Sequence, residues 1–324
     1  MSQYAPDVFV PAALREGAGS TAKGSAWLEQ LPSLVARAVH RWSLRLAEPF
    51  GVGTTAWTAP GVMPDGTPVV LKITFPHEEA QYEAAALRVW HGYSAVELLD
   101  HHVPDWAILM RRAHPGTLML HDHSPAHVRL RTGLELIATL HQAPIRGDEL
   151  PLLRHAAARW ITIATHRANR WAHLYEHYRQ EMQYGLALLA SFADHQATPA
   201  PIVGLHGDLN PGNILLDAPF GGPGHWLAID PKPMLGDPAY DLWPMLAQVD
   251  SPFAYPDPTA VLAPRVEMAE QILGVPAQRI CQWACARAVE SVLWQLETWP
   301  DPVDQRSALG ELPAVRCWAQ LAQR

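Results

Sequence analysis

Lysine is nearly missing from this chain. Of 24 basic residues only Lys23, Lys72 and Lys232 are lysines, and arginine supplies the rest. A lysine kept against that background is a candidate for a task that arginine does poorly, such as carrying a compact ammonium to phosphate oxygens. Cysteine is scarce too. Cys281, Cys285 and Cys317 cannot all pair, and the first two lie four apart in a helical pattern, which suits packing and a reducing compartment better than a disulfide framework. No apolar run approaches the length that spans a bilayer, so no membrane helix is expected. The start, Met1-Ser-Gln-Tyr-Ala-Pro-Asp, lacks a basic segment followed by an apolar one, so no secretory signal is expected and a cytoplasmic protein is the reading. A basic surplus is absent as well: the net charge of −8 argues against a nucleic-acid binder and is compatible with a cationic small ligand. With 48% hydrophobic and 17% charged residues, 324 residues suffice for a full core divided into two lobes.

What is present is concentrated in one stretch, His206-Gly-Asp208-Leu-Asn-Pro-Gly-Asn213-Ile-Leu-Leu. It sets a carboxylate and a carboxamide five residues apart in a loop, with an apolar segment leading out. A second carboxylate, Asp230, follows seventeen residues later at the end of Trp226-Leu-Ala-Ile-Asp230, immediately before Pro231. Phosphoryl transfer from ATP needs this set: a group that orients or deprotonates the attacking hydroxyl, and two oxygen ligands for magnesium. Asp208 is then the candidate catalytic base, and Asn213 and Asp230 the candidate metal ligands. An ordinary Asx turn accounts for Gly-Asp or Asn-Pro-Gly separately, but not for their joint spacing with a distant Ile-Asp.

The segments flanking this loop have different characters. Residues 1–26 mix Pro, Gly, Ala and Ser and read as a loosely ordered leader. Residues 27–112 read as an N-terminal nucleotide-binding lobe: a helix from Trp27 to Arg41, then strands at Ala56-Trp-Thr-Ala and Pro68-Val-Val-Leu-Lys72-Ile-Thr joined by the turn Pro64-Asp-Gly66. A helix over 78–91 and strands at 95–99 and 106–110 complete it. Residues 113–324 read as a catalytic and substrate-binding lobe, with helices expected over 127–141, 153–193 as one or two, 259–273, 277–298 and 305–322.

Lys72 ends an apolar strand, where it reaches the α- and β-phosphates if a carboxylate on the next helix holds it. Glu83, eleven residues on, is the favoured partner, and Glu79 is the alternative. Gly51 and Gly53 serve equally as a turn over phosphates or as a plain hairpin turn. Asp237-Pro238 reads as a helix N-cap. Asp241 reads as a support for the catalytic loop and His206 as a core histidine. Lys232 either meets a phosphate or pairs with an acid. His121, His123, His127, His173 and His177 lack the accompanying ligands of a zinc motif and read as solvated or packed. Most of the thirteen tryptophans read as core, with a few available to wall a sugar or a cation.

His206-Gly-Asp208, the run Ile229-Asp-Pro-Lys-Pro-Met-Leu-Gly-Asp-Pro-Ala-Tyr-Asp241-Leu, Tyr82-Glu83-Ala-Ala-Ala-Leu-Arg-Val-Trp90-His-Gly92 and Ile108-Leu-Met-Arg-Arg-Ala-His-Pro-Gly116 together resemble the aminoglycoside phosphotransferases. The likeness is to the streptomycin 6-phosphotransferase and hydroxyurea-resistance kinase branch, over roughly residues 40–300. The resemblance implies an α+β, protein-kinase-like two-lobe fold with a small β-rich N-lobe and a larger, mostly helical C-lobe. It implies ATP and Mg2+ as cofactors and adenine hydrogen-bonded by backbone around Met110–Ala113, with Met110 and Arg112 as the named candidates. The expected activity is transfer of the γ-phosphoryl group to a hydroxyl of a streptomycin-like aminoglycoside. The eleven acids against seven bases in residues 231–324 suit such a cationic acceptor. Two other functions compete: a metabolic kinase for a sugar, amino alcohol or hydroxyurea-like compound, and a nucleotide-binding pseudokinase. The intact set Lys72, Asp208, Asn213 and Asp230 speaks against the last.

Overall fold

The computed structural model describes residues 8–145, 150–194, 201–218, 224–299 and 301–324. Two compact units partition the chain: residues 1–116 with 216–229, and residues 117–215 with 230–324.

The first unit begins with helices α1 (Ala12–Glu16) and α2 (Ala22–Trp42). Within residues 8–26, read from composition as a loose leader, Leu14 is fully buried and Ala18 nearly so; residues 1–7 lie outside the described residues. The reason is tertiary. Thr21 caps α2 by accepting the Gly24 N–H at 3.0 Å. Trp27, Leu31, Leu34, Val35 and Ala38 then form an apolar stripe at helical spacing. That stripe shares one core with Trp57, Leu71, Ile73 and Leu109 of the sheet. Each fully buried leucine or isoleucine there contributes roughly 1.5–3 kcal/mol.

The sheet comprises β1 (Arg45–Leu46), β2 (Ala56–Val62), β3 (Pro68–Thr74), β4 (Leu98–His102) and β5 (Ala107–Arg111) in the antiparallel order β1-β2-β3-β5-β4. The β2–β3 hairpin closes through the expected Pro64-Asp-Gly66 turn, with Gly66 at φ 89° and the Asp65 carboxylate accepting the Thr67 N–H. The helix expected over 78–91 is a 3-10 segment, Glu78–Tyr82, followed by α3 (Glu83–Val89). A three-stranded sheet, β6 (Pro115–Leu118), β8 (Ile214–Asp217) and β9 (His225–Ala228), has the order β6-β8-β9.

The second unit is helical: α4 (Ala126–His141), α5 (Leu153–Trp171), α6 (Arg179–Ala193), α7 (Leu242–Gln248), α8 (Pro258–Leu273), α9 (Ala277–Thr298), α10 (Pro302–Leu309) and α11 (Leu312–Ala322). A short antiparallel pair, β7 (Val203–Leu205) with β10 (Met234–Gly236), crosses it. The segment expected as one helix over 305–322 is thus two, broken after Leu309 at Gly310. Helix α9 is buried along most of its circumference, from Ile280 through Trp283, Val289 and Val292 to Leu296, and packs on α5, α6, α8 and α11. Cys281 and Cys285 sit within it as free thiols, and burial pushes both up to about 12. They are packing residues without thiolate chemistry.

Candidate active site

Within the first unit, β3 delivers Lys72 and α3 delivers Glu83. The lysine Nζ lies 2.7 and 2.8 Å from the two carboxylate oxygens, with both residues buried. A buried, doubly bonded ammonium–carboxylate pair fixes a long side chain that would otherwise lose its position to rotamer freedom. The pairing selects Glu83, the favoured of the two carboxylates. At the end of β5, Met110 is buried, while Arg112 is exposed just beyond the strand. The backbone N–H of Arg111 already donates to Glu97 and that of Arg112 to Pro68, at 2.9 and 3.1 Å. The Arg112 N–H is therefore committed to the sheet, and of its backbone groups the carbonyl is left to serve a ligand. Gly51 and Gly53 fall in the β1–β2 connection, with Gly53 at φ 111°.

Within the second unit the loop following β7 carries the other parts. Gly207 has φ 85°, in the left-handed region, and a β-carbon there would collide with the carbonyl oxygen of Lys232. Glycine between His206 and Asp208 is thus required twice, by conformation and by space. Asp241, fully buried at the foot of α7, holds the turn from below. Its Oδ2 accepts the His206 N–H at 2.8 Å and lies 3.0 Å from His141 Nε2, and its Oδ1 accepts the Gly207 N–H at 2.8 Å. Burial alone would raise the Asp241 pKa. The bond from His141, the charges of His141 and His206 and the Gly207 N–H outweigh it and hold the carboxyl below its usual range. Asp241 is the loop's support, and His206 is a wholly buried residue whose Nδ1 accepts the Asp208 N–H at 3.3 Å.

The side chain of Asp208 is half-buried and meets Lys232 Nζ at 3.3 Å from Oδ2. Asn213 closes the loop by donating from Nδ2 to the Asp208 carbonyl at 2.9 Å, which leaves its amide oxygen as the end open to a cation. Asp230 is exposed, two residues past β9, and takes φ 56°. The strand ends earlier than the apolar run suggests, and a left-handed residue before Pro231 turns the chain. Such a conformation is strained for a non-glycine residue and is typical of functional sites. Among the described residues no group of three or more His, Cys, Asp or Glu side chains could enclose a metal. The donor chemistry is instead one amide oxygen and one carboxylate. That suits a hard cation completing its shell with phosphate and water.

Three residues at this site escaped the sequence reading. Asn210 braces the loop from inside, donating to the Asp208 carbonyl at 3.2 Å and accepting the Gly212 N–H at 2.8 Å. His141 pairs with Asp241 from α4. Arg287 of α9 donates to the carbonyls of Gly207 and Tyr240 at 3.1 and 2.9 Å. The arginine also lies 4.2 Å above the Tyr240 ring and 5.0 Å above that of Trp243. These rings join Trp160, Trp283 and Trp294 around a cavity of about 160 Å³ that Glu290 borders. Only Asn210, in an Asx position two residues after Asp208, carried a local sequence signal.

A sheet-rich unit holding a buried Lys–Glu pair, and a helical unit holding an Asp…Asn loop, define a kinase-like phosphotransferase. The model of the aminoglycoside/hydroxyurea antibiotic resistance kinases matches residues 48–298, and the chain belongs to that family. A streptomycin 6-kinase of Streptomyces glaucescens is 30% identical over 85% of this chain and 86% of its own length. A hydroxyurea phosphotransferase of Kitasatospora aureofaciens is 33% identical over 90% and 80%. Among solved structures, a choline/ethanolamine kinase family protein of Mesorhizobium loti superposes with a TM-score of 0.61 at 14% identity, covering 90% of this chain and all of that one. That likeness establishes the α+β kinase-like fold. The chain is therefore a small-molecule kinase, a class that takes its phosphoryl group from ATP. Among the described residues no helix is long and apolar enough to cross a membrane.

Proposed function

We propose that the chain transfers the γ-phosphoryl group of ATP, with magnesium, to a hydroxyl of a streptomycin-like aminoglycoside and so confers resistance to it. The carrying observation is the loop in which Asp208, Asn213 and Asn210 are fixed by one another and by the buried Asp241. In this reading Asp208 accepts the hydrogen bond of the acceptor hydroxyl and takes its proton as the new P–O bond forms. Lys72, held by Glu83, anchors the α- and β-phosphates, and backbone between Met110 and Ala113 meets adenine. Asn213 and Asp230 hold magnesium, which neutralises phosphate charge when bound. The aromatic cavity around Tyr240 and Trp243, tied to the loop through Arg287, takes part of the acceptor. Its size fits a substituent rather than a whole aminoglycoside. The streptomycin 6-kinase relatives support this acceptor; a small hydroxyl compound is the second reading, and one relative is named a hydroxyurea phosphotransferase.

The test is ADP release by purified protein with ATP and magnesium, alone and with streptomycin, other aminoglycosides, hydroxyurea or simple sugars. Streptomycin-dependent release with a phosphorylated product is the expected result. Stimulation by hydroxyurea or a sugar alone would replace the acceptor. No stimulation by any compound, with ATP bound, would favour a nucleotide-binding pseudokinase.

A further inference from the structure

Lys232 is one of three lysines in the chain, and its surroundings hold its backbone far more tightly than its side chain. Pro231 and Pro233 flank it, so φ is locked on both sides and Lys232 itself is confined to extended conformations. Its N–H donates to the His206 carbonyl at 2.8 Å, and its own carbonyl packs against Gly207 so closely that no β-carbon fits between them. The segment thus forms a rigid collar around the catalytic loop. From that collar the side chain emerges 45% exposed and places Nζ 3.3 Å from Asp208 Oδ2.

A half-exposed ion pair contributes little to stability, and the position of this one bears on the chemistry instead. A hydroxyl hydrogen-bonded to Asp208 at about 2.7 Å would lie within roughly 6 Å of the ammonium, and the phosphoryl group that hydroxyl attacks would lie within reach of the flexible four-carbon stem. The transferring group spreads negative charge over its equatorial oxygens, and a cation brought to those oxygens stabilises the transition state more than the ground state. Lysine suits this better than arginine, because one compact charge must exchange partners within a confined site.

Resting on the function proposed above, we infer that Lys232 is a catalytic cation. Before the ternary complex forms it pairs with Asp208 and holds the carboxylate in place. With acceptor and nucleotide bound, Asp208 takes the acceptor hydroxyl and the ammonium turns to the oxygens of the phosphoryl group in transit. The γ-phosphorus bond to the β-bridging oxygen breaks as the bond to the acceptor oxygen forms. The acceptor proton passes to Asp208, and Lys232 donates hydrogen bonds without giving up a proton.

The experiment compares wild type, Lys232→Ala and Lys232→Arg with MgADP alone, with MgADP plus aluminium fluoride as a mimic of the group in flight, and in turnover of ATP with streptomycin and with water as acceptor. Lys232→Ala is expected to lower kcat by roughly 10²-fold in both reactions. MgADP affinity should stay within about threefold, while the aluminium fluoride complex weakens by a factor comparable to the loss in kcat. Lys232→Arg should recover part of both losses. Equal loss of MgADP and of the mimic, or turnover within threefold of wild type, would overturn the assignment. A wild-type protein that binds no nucleotide would instead sink the functional reading itself. Unchanged thermal unfolding of the variants, expected for a side chain this exposed, separates either result from misfolding.

Discussion

His141 Nε2 lies 3.0 Å from the Asp241 carboxylate, although the two residues are a hundred positions apart in the chain. The contact links α4 to the support of the loop that carries Asp208, because the same carboxylate accepts from the N–H groups of His206 and Gly207. Asp241 is fully buried, and its depressed pKa means that the folded state favours the ionised form. Its stabilising contribution is complete above the unfolded-state value near 4 and disappears as pH falls through the lower folded value. Asp241→Ala strands three donors and should cost about 3–5 kcal/mol. Asp241→Asn should cost less and remove part of the acid sensitivity of unfolding. Denaturant melts of the three proteins between pH 3 and pH 7 check this. Parallel pH curves for wild type and the asparagine variant would show that Asp241 does not carry the dependence.

Gly207 should tolerate no side chain. At φ 85° an alanine is strained, and its β-carbon would meet the backbone carbonyl of Lys232, which the prolines on either side prevent from yielding. Gly207→Ala is expected to lower stability by about 2–4 kcal/mol and kcat by at least tenfold. Gly66, at φ 89° with open space around it, serves as the comparison. Gly66→Ala should cost only about 1 kcal/mol and leave kcat unchanged. Similar kinetic losses in both variants would show that packing against Lys232 is not what matters.

These two positions show what was legible in the sequence. The loop that carries Asp208 and Asn213 was readable because it is local: the two residues sit five apart, and a turn of Gly, Asn and Pro leaves few alternatives. The β3 lysine and the α3 glutamate were readable once that loop set the context. The supports were not. Arg287 reaches Gly207 across eighty residues from the middle of a helix whose pattern says only that it is buried. His141 is an ordinary last-turn histidine until α4 is placed beside Asp241. Helix α1 was missed because the alanine-, glycine- and serine-rich stretch around it carries weak periodicity, and burial of Leu14 and Ala18 is decided by the core shared with α2 and the sheet. Return of residues 216–229 to the first unit is likewise a tertiary event, with no composition shift to announce it.

Lys72 and Glu83 should separate stability from catalysis. Removing only the lysine takes the bonded ammonium away from the buried Glu83 carboxylate, so Lys72→Met should cost about 3–5 kcal/mol. Replacing both by apolar residues of similar size should return most of that stability. Activity should behave differently, because in the function proposed above the phosphate contact belongs to the lysine alone. The single and double variants should both lose at least about a hundredfold in kcat/KM for ATP. Recovery of activity together with stability in the double variant would show that the pair is structural only.

The aromatic cavity gives a prediction about the acceptor. Trp243 carries the Arg287 guanidinium at 5.0 Å, and the same arginine donates to the Gly207 carbonyl. Trp243→Ala removes wall area without touching Asp208, so it should raise KM for streptomycin by about tenfold and alter kcat less than threefold. Arg287→Ala removes the loop contact as well, and should therefore lower kcat along with raising KM. The measurement is steady-state kinetics with streptomycin varied at saturating ATP, followed by the same series with ATP varied. If Trp243→Ala leaves KM for streptomycin unchanged while KM for ATP rises, the cavity does not hold the acceptor. The aromatic residues would then be core that happens to lie beside the loop.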